Sequence, residues 1–211
     1  MRPACLPASP LLAAAALALS ACATTPYTGP VEVTRFVADQ PAGLGQGTIA
    51  VVFPDEMGNL AARAAFASAV SEQLARLGYT VVPEGTPAGQ TATIRTTRNA
   101  IAAAEESGRG PVSVGVGGQT GSFGSGLGMG VGINLGGGRE SPSVMTDLEV
   151  RITRTGGPTL WEGRAQIATG VKSPFSQVTT SARTLAAGLF RDFPGGNGET
   201  VTINAKKLQG N

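Results

Sequence analysis

At 211 residues, 41% hydrophobic and 14% charged, the chain has the size and apolar content of one globular domain with an ordinary core. Sixteen basic residues against 14 acidic give a net charge of +2 with no long block of either sign, so the charge predicts no nucleic-acid partner. The absence of histidine excludes histidine triads, His-ligated metals and a histidine pH switch. With Cys5 and Cys22 as the only cysteines, both near the N-terminus, a later domain has no disulfide or Cys-ligated zinc, and neither metal nor cofactor is expected.

Met1-Arg2 reads as a short positive segment, and Leu11 to Leu19 as an apolar run about half as long as a membrane-spanning helix requires. The run ends in Leu19-Ser20-Ala21-Cys22, which resembles the bacterial lipobox. That resemblance implies a signal peptide over residues 1–21, cleavage before Cys22, and acyl chains on the Cys22 sulfur and new amino group. Several acyl chains make an anchor stable. Residue 23 is alanine, whereas the Gram-negative rule reads aspartate there as an inner-membrane retention signal, so the resemblance implies outer-membrane anchoring facing the periplasm. The alternative is an ordinary secretory signal in which Cys22 is incidental.

Residues 22–30 have the Pro, Gly and Thr content of a tether. Val31 to Ala38 is expected as a strand, with Val31, Val33 and Arg35 on one parity and Glu32, Thr34 and Phe36 on the other. Thr48 to Phe53 is a continuous apolar run closed by Pro54-Asp55, as for a strand buried on both faces. Asn59 to Leu77 carries a cap, a helical stripe of Phe66, Val70, Leu74 and Leu77, and a terminating Gly78. Tyr79 to Pro83 returns as a strand and completes a strand-helix-strand unit.

Ala92 to Thr97 and Val144 to Arg154 are expected as further strands; in the second, Leu148, Val150 and Ile152 face opposite to Asp147, Glu149 and Arg151. Gly156-Gly157-Pro158 turns that strand into Thr159 to Thr169, forming a hairpin. A second helix is expected to start at Ser173-Pro174, carry Val178, Ala182, Leu185, Leu189 and Phe193 on one stripe, and stop at Pro194-Gly195-Gly196. Two apolar stripes need one apolar sheet face. The expected fold is therefore α+β: a two-layer sandwich with a mixed or antiparallel sheet, both helices on one face, and a Gly-rich hairpin or loop. One domain spans 31–204, with an insertion at 108–138 and a C-terminal tail at 205–211.

The lipobox at Cys22, the Pro54-Asp55 turn, Leu77-Gly78-Tyr79, Leu160-Trp161-Glu162-Gly163 and the closing Phe193-Pro194 together resemble the lipoproteins grouped as family 4136 of domains of unknown function. The resemblance covers about residues 31 to 204. It implies an anchored envelope domain and transfers no catalytic residue. The strand-helix-strand core is also similar to amino-terminal domains of envelope assembly proteins, a likeness of fold alone.

Gly108 to Gly138 contains no lysine, which a P-loop requires, and Thr120 stands where a dinucleotide fingerprint needs its third glycine. Val112, Val114 and Val116, then Leu127, Met129, Val131, Ile133 and Leu135, alternate mostly with glycine at the period of a strand. Two readings stay open. The segment is a hairpin covering the sheet or a loose glycine loop, or it self-associates, binds a protein partner or touches lipid through bare backbone faces.

Adjacent Glu105 and Glu106 would point to opposite faces of a strand and fit a solvated turn better than a shared proton. Trp161 beside Glu162 suits either a sugar platform or packing against a helix. Ser173, Ser176 and Ser181 have no histidine to activate them, Lys172 is isolated, and Asp55 fits a cap or turn. The expectation is a non-catalytic envelope module that binds or supports assembly, with no catalytic residue. A small-ligand binder or a carboxylate-dependent hydrolase is the alternative.

Overall fold

A computed structural model describes residues 25–54, 59–101 and 143–209. Residues 1–21, expected as a signal peptide, and Cys22, Asp55, Glu105-Glu106 and Gly108–Gly138 lie outside the described residues.

The first strand, β1 (Thr28–Val37), begins three residues earlier than the apolar alternation indicates. Val31, Val33 and Arg35 are its buried parity, which settles a facing that the sequence leaves ambiguous. β2 (Thr48–Val52) buries Ile49, Ala50 and Val51 in succession. Helix α1 (Leu60–Arg76) is capped by Asn59, whose Oδ1 accepts the Ala62 N–H at 3.0 Å. Gly78 ends it at φ +103°, while the Tyr79 N–H reaches the Leu74 carbonyl and the Gly78 N–H reaches Ala75. That reciprocal pair closes the last turn and satisfies carbonyls the helix leaves open. Phe66, Val70 and Leu74 are its buried stripe, each side chain worth about 1.5–3 kcal/mol of transfer free energy.

β3 (Thr80–Val82) returns parallel to β2, and β4 (Gln90–Ile101) lies parallel on the other side of β2. β5 (Ser143–Arg154) and β6 (Thr159–Gly170) form the expected antiparallel hairpin. The sheet is mixed, with order β3-β2-β4-β5-β6-β1-β7, the last strand being Thr200–Ile203.

The second helix starts later than Ser173-Pro174 indicates. Ser173 caps a single 3-10 turn, Pro174–Ser176, and Ser176 Oγ donates back to the Val171 and Ser173 carbonyls. Gln177 is extended at φ −70° and ψ 138°, and α2 (Val178–Leu189) begins only after it. Short hydroxyl side chains bonding their own backbone compete with the helix ladder, so the turn closes on itself. α2 also stops before Phe193, for a reason given below.

Both helices cover one face. Phe66, Val70 and Leu74 of α1 and Ala182, Leu185 and Leu189 of α2 share one core with inward residues of β1, β2, β4, β5 and β6. Gly188 lets α2 sit down on β1: a β-carbon there would lie 3.1 Å from Val31 and 3.2 Å from Leu208. A final 3-10 turn, Ala205–Leu208, falls within the segment expected to be a tail, yet buries Ala205 and Leu208 in the same core.

Candidate functional site

The sheet face opposite the helices carries a lattice of alternating charge. Register places Arg95, Glu149, Arg164 and Thr34 in one row across β4, β5, β6 and β1, with Thr93, Arg151, Glu162 and Phe36 in the next. Arg164 lies 2.5 Å from Asp147, Arg151 lies 3.2 Å from Glu162, and Glu149 has Arg95 and Arg151 each at 3.8 Å. Gln166 donates to Glu32 at 2.8 Å. Cross-strand pairs of opposite sign stabilise a sheet modestly, and here each of the three β5 and β6 carboxylates has an arginine against it. Among the described residues no cluster of His, Cys, Asp or Glu is placed to hold a metal.

On the other side of the molecule the two helices leave a groove of about 430 Å³ between Glu72 and Gln73 of α1 and Thr180, Arg183 and Thr184 of α2, with Leu208 also in its wall. A smaller depression of about 150 Å³ shares Gln73, Ala187 and Leu208 with it and adds Arg76 and Arg191. Glu72 is engaged by Arg76 at 2.7 Å, one helical turn away. Arg183 is exposed and has no ion pair or hydrogen bond among the described residues.

Two buried polar groups hold these surfaces in place. Arg35 is 5% exposed, and its guanidinium donates to the carbonyls of Leu189, Gly188 and Arg191 at 2.9, 3.0 and 2.8 Å. It therefore caps the C-terminus of α2, where a cation also suits the helix dipole. This is why the helix ends before Phe193: the chain turns so that its last carbonyls meet Arg35, and Asp192 adopts φ 53°. Burial lowers the Arg35 pKa, opposed by the charges of Asp192 and Glu199. The second group is Tyr79, whose hydroxyl accepts from the Gly45 N–H at 2.7 Å and donates to Gln90 Oε1 at 3.2 Å. Gln90 Nε2 in turn donates to the Gly43 and Gln46 carbonyls, pinning the β1–β2 connection. Burial raises the Tyr79 pKa, with the Gly45 bond acting the other way.

Of the residues considered from sequence, Trp161 is fully buried, stacked on Phe190 at 5.4 Å and tilted on Phe193 at 5.2 Å, with Nε1 donating to the Pro194 carbonyl. The sugar-platform reading is thereby overturned: the ring faces the helix layer, and Glu162 faces the other way, toward Arg151. Ser173 and Ser176 are turn-forming, and Ser181 Oγ is buried without a partner among the described residues. The groove residues and Leu208 were not read from sequence, since two helix faces become a site only when packed together. Arg35 did carry a signal, being an arginine on the apolar parity of β1.

No family model and no curated protein matches the chain. Among solved structures it is similar to a PDZ domain protein from Parabacteroides distasonis, at 16% identity and TM-score 0.46, over 90% of this chain and 42% of that one. The chain thus spans about two fifths of that neighbour's length. It is also similar to the PelC dodecamer from Paraburkholderia phytofirmans, at 11% identity and TM-score 0.39, over 75% of this chain and 94% of that one.

Proposed function

We propose that the protein is an outer-membrane lipoprotein, acylated at Cys22, whose domain faces the periplasm as a non-catalytic binding or assembly module. The observation that carries this reading is the position of β1. Its first residue, Thr28, stands six residues after Cys22 and pairs with Thr169, so folded structure starts directly beyond the cysteine. An acyl anchor at Cys22 would hold this domain within about 20 Å of a membrane surface, given the reach of an extended chain. No helix among the described residues is long and apolar enough to cross a membrane.

A binding or assembly role fits the polar groups better than a hydrolase does. Paired carboxylates that cleave a bond must face one another across the substrate, whereas Asp147, Glu149 and Glu162 alternate with Arg164 and Arg151. Gly108–Gly138 is proposed as the segment that meets a protein partner or a second copy, through strand-forming alternation and bare glycine faces.

Labelling with radioactive fatty acid tests the anchor. Cys22→Ser should accumulate as an unprocessed, unlabelled precursor; normal processing and labelling of that variant would refute the lipoprotein reading.

A further inference from the structure

We propose that the groove between α1 and α2 binds a phosphate-bearing ligand, with Arg183 as its principal anion contact; this deepens the reading of the domain as a binding module. At about 430 Å³ the groove is large enough for a small polar molecule or a headgroup. Its charge is unbalanced in one direction. Glu72, the acid in its wall, is neutralised by Arg76, while Arg183 has no counter-ion among the described residues. Arg191 extends the basic side along the adjoining depression.

A second observation points into the same space. Thr184 is 2% exposed and lines the groove, yet its hydroxyl has no hydrogen-bond partner among the described residues. Among the described residues the fully buried hydroxyls without a partner are those of Thr146 and Ser181, so the Thr184 hydroxyl opens to the groove and is left to bond a ligand there. Thr180 and Thr184 stand one turn apart on α2, so their two hydroxyls and the Arg183 fork border one stretch of groove. Phosphate suits that set better than carboxylate, because it offers enough oxygens to accept from a guanidinium fork and from hydroxyls together.

The position in the fold identifies two sources of this chemistry. Thr28 Oγ1 lies 2.7 Å from Ser173 Oγ, so the start of β1 sits beside the turn that leads into the first turn of α2. The Thr180 end of the groove therefore lies toward the end of the domain where the tether enters. A lipid headgroup is the nearest phosphate if Cys22 is anchored, and a soluble phosphate monoester offers the same contacts.

The test uses the full chain in neutral detergent micelles, followed by NMR signals of the Arg183 side-chain Nε–H and the Thr180 and Thr184 amides. One arm titrates glycerol 3-phosphate; the other compares micelles doped with phosphatidylglycerol or with phosphatidylcholine. Saturable shifts with glycerol 3-phosphate assign a soluble ligand, and shifts only with phosphatidylglycerol assign a headgroup. Arg183→Gln should weaken either response by about tenfold or more. Arg95→Gln, on the opposite sheet face, should leave it unchanged. No saturable shift in either arm, or an equal loss in Arg95→Gln, would overturn the proposal. Because the readout does not depend on lipidation, failure here and failure of the Cys22 reading remain separate results.

Discussion

The indole of Trp161 occupies the space that a β-carbon on Gly163 would need, and Leu189 of α2 closes the same spot at 2.8 Å from that position. Gly163 is thus fixed by its neighbour two residues earlier on the strand rather than by its own backbone angles. Gly163→Ala should destabilise the domain by about 1–3 kcal/mol through overpacking, measured by urea unfolding. A change too small to resolve would mean that Trp161 has room to move.

Arg35→Lys keeps the charge but not the fork that reaches three carbonyls at the end of α2. The expected loss is about 1.5–3 kcal/mol, because an ammonium on a flexible stem cannot span them all. Hydrogen exchange should show it first at the last turn of α2. Equal stability of the two proteins would remove Arg35 as the cap.

The Tyr79 proton is held more tightly in the folded protein than at its ordinary value of 10.0. Its contribution is therefore complete below about pH 10 and is lost as pH rises through the raised folded value, the unfolded chain ionising first. Urea midpoints should fall between about pH 9 and 11, and less steeply in Tyr79→Phe. An identical alkaline slope in the variant would assign the loss to other groups, of which Tyr27 is shifted the same way.

Leu208→Ala should cost about 2–5 kcal/mol, as for a buried leucine, although it lies three residues from the C-terminus. A loss under about 0.5 kcal/mol would return the last turn to the status of a tail.

Replacing residues 111–136 with a short Gly-Ser turn should lower stability by no more than about 2 kcal/mol. β4 and β5 already pair from Gln90 with Arg154 to Ile101 with Ser143, so their register does not call for more strand. Global unfolding of the shortened protein would show otherwise, whereas lost crosslinks in envelopes would support the proposed contact role.

Legibility in the sequence followed how local each signal was. α1 was readable to within a residue, because Asn59, the Phe66-Val70-Leu74 stripe and Gly78 all act within a few positions. The β5–β6 hairpin was readable for the same reason, through Gly156-Gly157-Pro158. Ser173-Pro174 gave the correct cap for the wrong element, since the break at Gln177 depends on where Ser176 sends its hydroxyl. β7 was missed: Thr200–Ile203 is short, and it is a strand because β1 offers an edge to it. The groove was missed because it exists only between helices over a hundred positions apart in the chain.

The place of β1 between β6 and β7 sets an order of events during synthesis. Glu32 and Gln166, bonded across β1 and β6, are 134 positions apart. The ribosome delivers β1 first, yet its neighbours follow only at Thr159 and Thr200. Val31 and Val33 must therefore wait exposed, and the long loop they close brings the slow kinetics of high contact order. Until β6 and β7 are made, both edges of β1 lack their native partners and are open to pairing with other chains.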